Sequence, residues 1–208
     1  METYKAIESR KSIRDFKAQP IRKETIIKII NAGLQAPSNN HMREWEFVIV
    51  QDQATRVKII DKVQKNYKKK DIETWLDSWN STDPIQRESY LEAVPRQYTM
   101  LLTAGCLILP FFRQPGELLK PKSLSSLNSF ASIWCCIENI LIAASADGIY
   151  GVTRIPFPAE IIHIKEFFNP PTDYEIACYL ALGYPADGAE RTKQYPFKTE
   201  DKIHWNTW

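Results

Sequence analysis

The stretch 124–146 constrains this chain more than any other part of it. Phe130, Ile133, Trp134, Ile137, Ile140, Leu141 and Ala144 recur there at helical spacing, and apolar residues fill most of the positions between them. A surface helix carries one apolar stripe, whereas a helix apolar on nearly every side must be covered on every side, by a large core or by a second subunit. In a chain of 208 residues we expect the second subunit. Glu138 interrupts the run, so no charge-free segment has the length of a bilayer span. Glu2, Lys5, Glu8 and Arg10 likewise leave no apolar leader core at the N-terminus. No membrane association is expected, and the cytoplasm is the expected location.

The remaining elements read as one α+β domain over 1–208. Ile26, Ile29, Ile30 and Leu34 mark an amphipathic helix over 24–35, with Pro37 where a helix should end. W-E-F-V-I-V over 45–50 has the β-branched and aromatic content of a strand. A second helix is expected over 54–68, with Val57, Ile60, Val63 and Tyr67 on one face. The lysines nearby read as a solvated face. The segment 71–97 has no clean period but carries Trp75, Trp79 and Tyr90, and is expected to be a lid or partner surface. Residues 106–112 read as a buried strand in which Pro110 points to an edge or a bulge. A short helix is expected over 158–168. Ile176, Cys178, Leu180 and Leu182 alternate as a strand with one buried face. From about 185 to 208 the chain becomes a polar arm ending in Trp205 and Trp208, expected to pack on something outside itself.

Bulk composition excludes more than it identifies. A formal charge of +2 is too small to draw nucleic acid by global field, so none is expected as partner. Cys106, Cys135, Cys136 and Cys178 form no C-x-x-C pair and sit in apolar runs, so they read as buried thiols in a reducing compartment. No metal site is expected. G-x-S-x-G, H-E-x-x-H, the P-loop and G-x-G-x-x-G are all absent, which leaves hydrolase, zinc and dinucleotide-fold readings without their signatures.

Two clusters can carry chemistry. Arg10, Lys11, Ser12 and Arg14 bring guanidinium forks, an ammonium and a hydroxyl within five positions, a donor set suited to phosphate oxygens; a basic surface turn would look the same. Pro37, Ser38, Asn39, Asn40 and His41 offer donors and acceptors of the kind a heteroaromatic edge requires; helix capping by Asn and Ser is the plain alternative. His41 has no partner at a spacing that would make it a general base.

The order of the pieces adds what the single motifs lack. With E-S-R-K-S-I-R-D-F over 8–16, A-P-S leading into W-E-F-V-I-V, the long apolar helix, and A-L-G-Y-P over 181–185 before a basic tail, the chain resembles the nitroreductase-like family of flavoproteins over nearly its whole length. The resemblance implies an α/β sandwich with a mixed, mostly antiparallel sheet flanked by helices, in an intertwined homodimer. Two sites for flavin mononucleotide (FMN) would each be built from both subunits. Arg10, Lys11, Ser12 and Arg14 would hold the phosphate, ribityl chain and pyrimidine edge. Pro37, Ser38, Asn39, Asn40 and His41 would reach the flavin of the other subunit. Arg191 or Lys193 would be a second phosphate cation, and the Ile155 backbone N–H in G-V-T-R-I-P would approach the reactive ring nitrogen.

The implied activity is transfer of reducing equivalents from NADH or NADPH to a small-molecule acceptor such as a nitroaromatic or quinone, in ping-pong fashion, with no essential side-chain acid or base. A flavin sensor or carrier without turnover, and relatives that dehalogenate or fragment flavin, are the alternatives. Many members read N-x-Q-P-W ahead of the strand. Here His41, Arg43 and Glu44 stand in those positions before Trp45, so the ring-edge contact would fall to Asn40 or to backbone.

Overall fold

Branched and aromatic residues dominate the strands, and the central ones are apolar on both faces, so their sheet has to be covered on both sides. The computed structural model describes residues 2–189 and 195–208. In chain order the elements are α1 (Thr3–Ser9), α2 (Lys23–Gly33), β1 (Trp45–Val50), α3 (Gln53–Ile59), α4 (Lys69–Ser78), α5 (Pro84–Ala93) and α6 (Gln97–Thr103). Then follow β2 (Cys106–Arg113), α7 (Asn128–Ala146), β3 (Tyr150–Arg154), α8 (Pro158–Phe168), β4 (Tyr174–Ile176) and β5 (Tyr179–Gly183).

The sheet order is β1-β2-β5-β3, with β4 also on β2, and every strand pair is antiparallel. A parallel bridge from Ser12 to Gly151 along β3 makes it mixed. The fold is thus the α+β sandwich expected. One core, with Ile29, Phe112, Ile137, Ile140, Leu180 and Leu182, lies under α2 and α7. The other, with Ile13, Ile59, Leu101, Ile164, Tyr179 and Ala181, lies on the opposite face. Successive β5 residues alternate between these cores, as the period of two dictates.

The structure corrects several readings. All five β5 residues are buried, because helices cover both faces, where one buried face was expected. β2 is an inner strand, so Pro110 marks no edge. The bulge is instead on its partner: Ile108 pairs with Leu180 and Phe111 with Ile176, leaving Ala177, Cys178 and Tyr179 opposite Leu109 and Pro110. The helix expected over 54–68 stops at Ile59. Ile59 and Ile60 are both fully buried while Val57 is exposed; the chain turns there, with the Val63 N–H donating to Ile60 O at 2.9 Å, and drops Val63 into the core. Arg56 in this helix is buried, donating to Val50 O and Leu102 O at 3.0 Å each and to Ala104 O. The segment 71–97 is helical almost throughout. Its side chains form a satellite core of Ile72, Leu76 and Val94, too small to impose a strong period.

The long apolar segment opens with a 3-10 turn over Leu124–Leu127 and continues as α7. By length and composition Leu124–Ala146 is the one helical segment among the described residues apolar enough to cross a bilayer. One side of it is packed on α2 and the sheet. Gly33 allows the approach: a Cβ there would lie 2.5 Å from Ile140 Cγ1. Within one chain α7 is not covered all round, since Ala131, Cys135 and Glu138 are exposed. Cys135 therefore departs from the expected four buried thiols. Burial pushes the Cys106 and Cys136 thiols up to about 12, which makes them inert.

Candidate functional site

Segment 10–16 is held in place by its apolar residues. Ile13 and Phe16 are buried, Ser12 bridges to Gly151 of β3, and the Lys17 N–H donates to Tyr184 O at 2.9 Å. Gly151 is required where β3 meets β5, because a Cβ would stand 2.3 Å from Ala181 O. Between these anchors Arg14 extends into a cavity of about 450 Å³ whose other walls include Tyr90, Gln97, Arg154, Ile155 and Phe157. That volume lies within the ~300–1,000 Å³ of small-ligand sites. Burial pulls the Arg14 guanidinium below its ordinary range; Glu92 and Asp15 oppose this and Arg96 adds to it. Asp15 is itself engaged by Arg96 at 2.6 Å. A partly desolvated cation on a cavity wall attracts an anionic group, since guanidinium stays charged at any physiological pH.

The floor of the cavity carries a group that the sequence reading missed. Arg154 ends β3 and forks onto Glu160 of α8, Nη2 donating to Oε1 at 2.8 Å and Nη1 to Oε2. Its Nε donates to Gln97 Oε1 at 2.9 Å, and the rings of Phe157 and Tyr179 lie 5.5 Å from its guanidinium carbon. Burial lowers the Arg154 pKa, but the hydrogen bonds and charge of Glu160 outweigh it and hold it above its ordinary value. The Tyr179 hydroxyl finds no hydrogen-bond partner among the described residues, and burial pushes its pKa up. An i, i+6 Arg–Glu pair across a strand–helix turn has no periodic signature, so sequence offered no signal for it.

The loop Pro37–His41 does not reach this cavity within the chain. Its Asn39 N–H donates to Ser132 Oγ of α7 at 2.9 Å. Asn40, His41 and Arg43 all have positive φ, at 51°, 59° and 46°, and Asn40 and His41 are exposed while Asn39 is half-buried. The α2 carbonyl of Leu34 is capped by Arg43 Nε at 2.8 Å rather than by Asn or Ser. Glu44 pairs with Arg113 at 2.8 Å, which also holds Asp173 at 2.6 Å. Both residues that replace the common Q-P therefore pin the loop. Asn39 borders a separate hollow of about 630 Å³ with Gln114, Lys120 and Lys122. Of the expected site residues, then, Arg14 and Ile155 meet in one cavity with Ser12 alongside. Lys11 is half-buried, Arg10 is engaged by Glu138 at 3.3 Å, and Pro37–His41 lie elsewhere. Arg191 and Lys193 fall outside the described residues.

The model of the nitroreductase family matches residues 7–184. This chain belongs to that family. Iodotyrosine deiodinase of Nematostella vectensis is 27% identical over 195 residues, covering 91% of this chain and 69% of that protein. Among solved structures, oxidized iodotyrosine deiodinase bound to FMN and 3-iodo-L-tyrosine superposes with TM-score 0.73 at 21% identity, covering 100% of both chains. The NADPH:FMN oxidoreductase from Vibrio harveyi, complexed with NAD+, gives 0.69 at 19%, covering 99% of this chain and 77% of that one. Identities this low establish a shared fold, which these relatives put to more than one reductive use.

Proposed function

We propose that this nitroreductase-family chain is an FMN-dependent oxidoreductase that draws on NADH or NADPH and reduces small acceptors such as nitroaromatics or quinones. The observation that carries the reading is the cavity itself: a desolvated Arg14 on one wall, exposed β3–α8 backbone at Ile155 on another, and apolar Val94, Met100 and Phe157 between them. These residues fit a flavin, whose phosphate and pyrimidine edge need cations and donors and whose ring needs an apolar slot. Arg14, Ser12, Lys11 and Arg10 would hold the polar end, Arg10 on release from Glu138, with Arg191 or Lys193 as further phosphate cation. Bound there, FMN supplies two-electron chemistry between nicotinamide and acceptor. Ile155 directs its backbone to the ring, and the helices over 71–97 exclude water from above.

The active form is a homodimer. Exposed Ala131 and Cys135 on α7, and the exposed Trp205 and Trp208 of the arm, are apolar surface that a second copy would cover. Pro37, Ser38, Asn39, Asn40 and His41, joined to α7 through Ser132, would then reach the second copy's flavin. Reductive dehalogenation is the second reading, supported by the similarity to iodotyrosine deiodinases. An anaerobic acceptor panel separates the two. Nitroaromatic or quinone turnover with NADH or NADPH is expected; iodide release from 3-iodo-L-tyrosine with dithionite as reductant, and no nicotinamide turnover, would replace the first reading by the second.

A further inference from the structure

The helices above the cavity are weakly attached to the rest of the molecule. No side chain of α5 is buried, although Ser89, Tyr90 and Ala93 line the cavity. With so little buried apolar surface, α5 draws little from the hydrophobic effect, and such a segment opens at small cost. Its bonds are made mostly to its neighbour α4 and at its ends. Arg87 reaches Asp77 at 2.9 Å, and Trp79 meets Tyr90 edge-on at 5.6 Å. At the outer end Asp83 accepts from the Gln86 N–H at 2.8 Å and from the Tyr195 hydroxyl at 3.0 Å. The inner end runs through the 3-10 turn Val94–Arg96 straight into Gln97.

Gln97 ties the inner end of this cover to the floor, beside the Arg96–Asp15 pair at 2.6 Å, which ties the same end to the segment 10–16. Its side-chain oxygen accepts from Arg154 Nε, while the other two nitrogens of the same guanidinium are committed to Glu160. The Arg154 and Glu160 side chains are 4% and 3% exposed, so neither can swing away without leaving a buried charge unpaired. Arg154 is also joined by one peptide bond to Ile155, the residue that faces the cavity. One rigid guanidinium therefore fixes the strand–helix turn at the floor and the inner end of the cover at once.

We propose that Arg154 is a positioning residue: through Gln97 it holds the α4–α5 cover closed over the acceptor side of the cavity. The inference rests on the reading of this cavity as the flavin and acceptor site. Flavin itself would be held by the segment 10–14, whose own tie to the cover runs through Asp15 and Arg96 and is kept when the Gln97 bond is lost. Loss of the tie therefore acts on the acceptor, which must lie between cover and floor, and leaves flavin retention largely unchanged.

The test is Gln97→Met, which keeps the length of a half-buried side chain and removes the acceptor oxygen, alongside Arg154→Lys, which keeps the charge and loses the fork. Amide hydrogen exchange over residues 84–96 should quicken about tenfold in Gln97→Met, with and without FMN, in line with loss of one hydrogen bond to a charged group. The acceptor KM should rise by a similar, about tenfold, factor while FMN content stays at the wild-type level. Arg154→Lys should move both readouts in the same direction. Wild-type exchange over 84–96 in Gln97→Met overturns the tie, whatever the cofactor. Failure of the wild-type chain to bind FMN would overturn the functional reading instead, and exchange in the flavin-free protein would still decide the tie.

Discussion

Arg14→Ala loses FMN affinity by about 10- to 100-fold, the value of one or two charge-assisted hydrogen bonds to an anion in a partly dry site. The magnitude follows from where the guanidinium stands. Ile13 and Phe16 anchor the backbone on either side of it, so Arg14 reaches the cavity without ordering a loop, and burial has already removed part of its water. The nearby carboxylates are shared with a second cation, since Asp15 pairs with Arg96 at 2.6 Å and Glu92 with it at 3.8 Å. Arg14→Lys should recover only part of the loss, since an ammonium lacks the planar fork. Fluorescence titration of FMN into the variants gives the ratio, and thermal unfolding of the flavin-free proteins should show that the change is not one of stability. An unchanged dissociation constant in Arg14→Ala would place the flavin elsewhere.

Glu160→Ala should destabilise the fold by roughly 3–5 kcal/mol, the cost of leaving a buried charge without its partner. Arg154 is 5% exposed and packs against the rings of Phe157 and Tyr179, each 5.5 Å from its guanidinium carbon. Gln97 alone offers one neutral acceptor. The double variant Arg154→Met with Glu160→Leu removes both charges and should recover most of the loss, because the pair itself contributes little net stability over apolar residues of similar volume. Urea unfolding measures both. A Glu160→Ala protein within about 1 kcal/mol of wild type would mean that water reaches Arg154 and that the floor is not dry.

How far the sequence could be read depended on what each element packs against. The strand at Trp45–Val50 and the helix at Pro158–Phe168 were legible because each carries a strong local signal, a branched and aromatic run in one and a proline at its first turn in the other. α4 and α5 were not. Only Ile72 and Leu76 of α4 are buried, and no residue of α5, so too few apolar positions recur to set a period. Arg56 shows the converse failure. Nothing in the sequence marks it, yet it is buried, donating to Val50 O at the end of β1 and to Leu102 O and Ala104 O at the end of α6.

The site divided in the same way. Arg14 and Ile155 were expected in one site because ordered motifs surround them, and both line one cavity. Arg154 is adjacent to Ile155 in the chain but takes its importance from Gln97 and Glu160 on two other elements, a relation that only folding creates. The loop at Pro37–His41 was legible as a polar turn, while its left-handed backbone at Asn40, His41 and Arg43 follows from Arg43 and Glu44 being held by Leu34 O and Arg113.

The most direct measurement is the visible spectrum of the purified wild-type chain titrated with FMN, recorded anaerobically before and after addition of NADH and then NADPH. Saturable binding near one FMN per chain, with a shifted flavin band and rapid bleaching by at least one nicotinamide, is the expected result. A spectrum that remains the sum of protein and free FMN would contradict the assignment of the Arg14–Ile155 cavity as a flavin site.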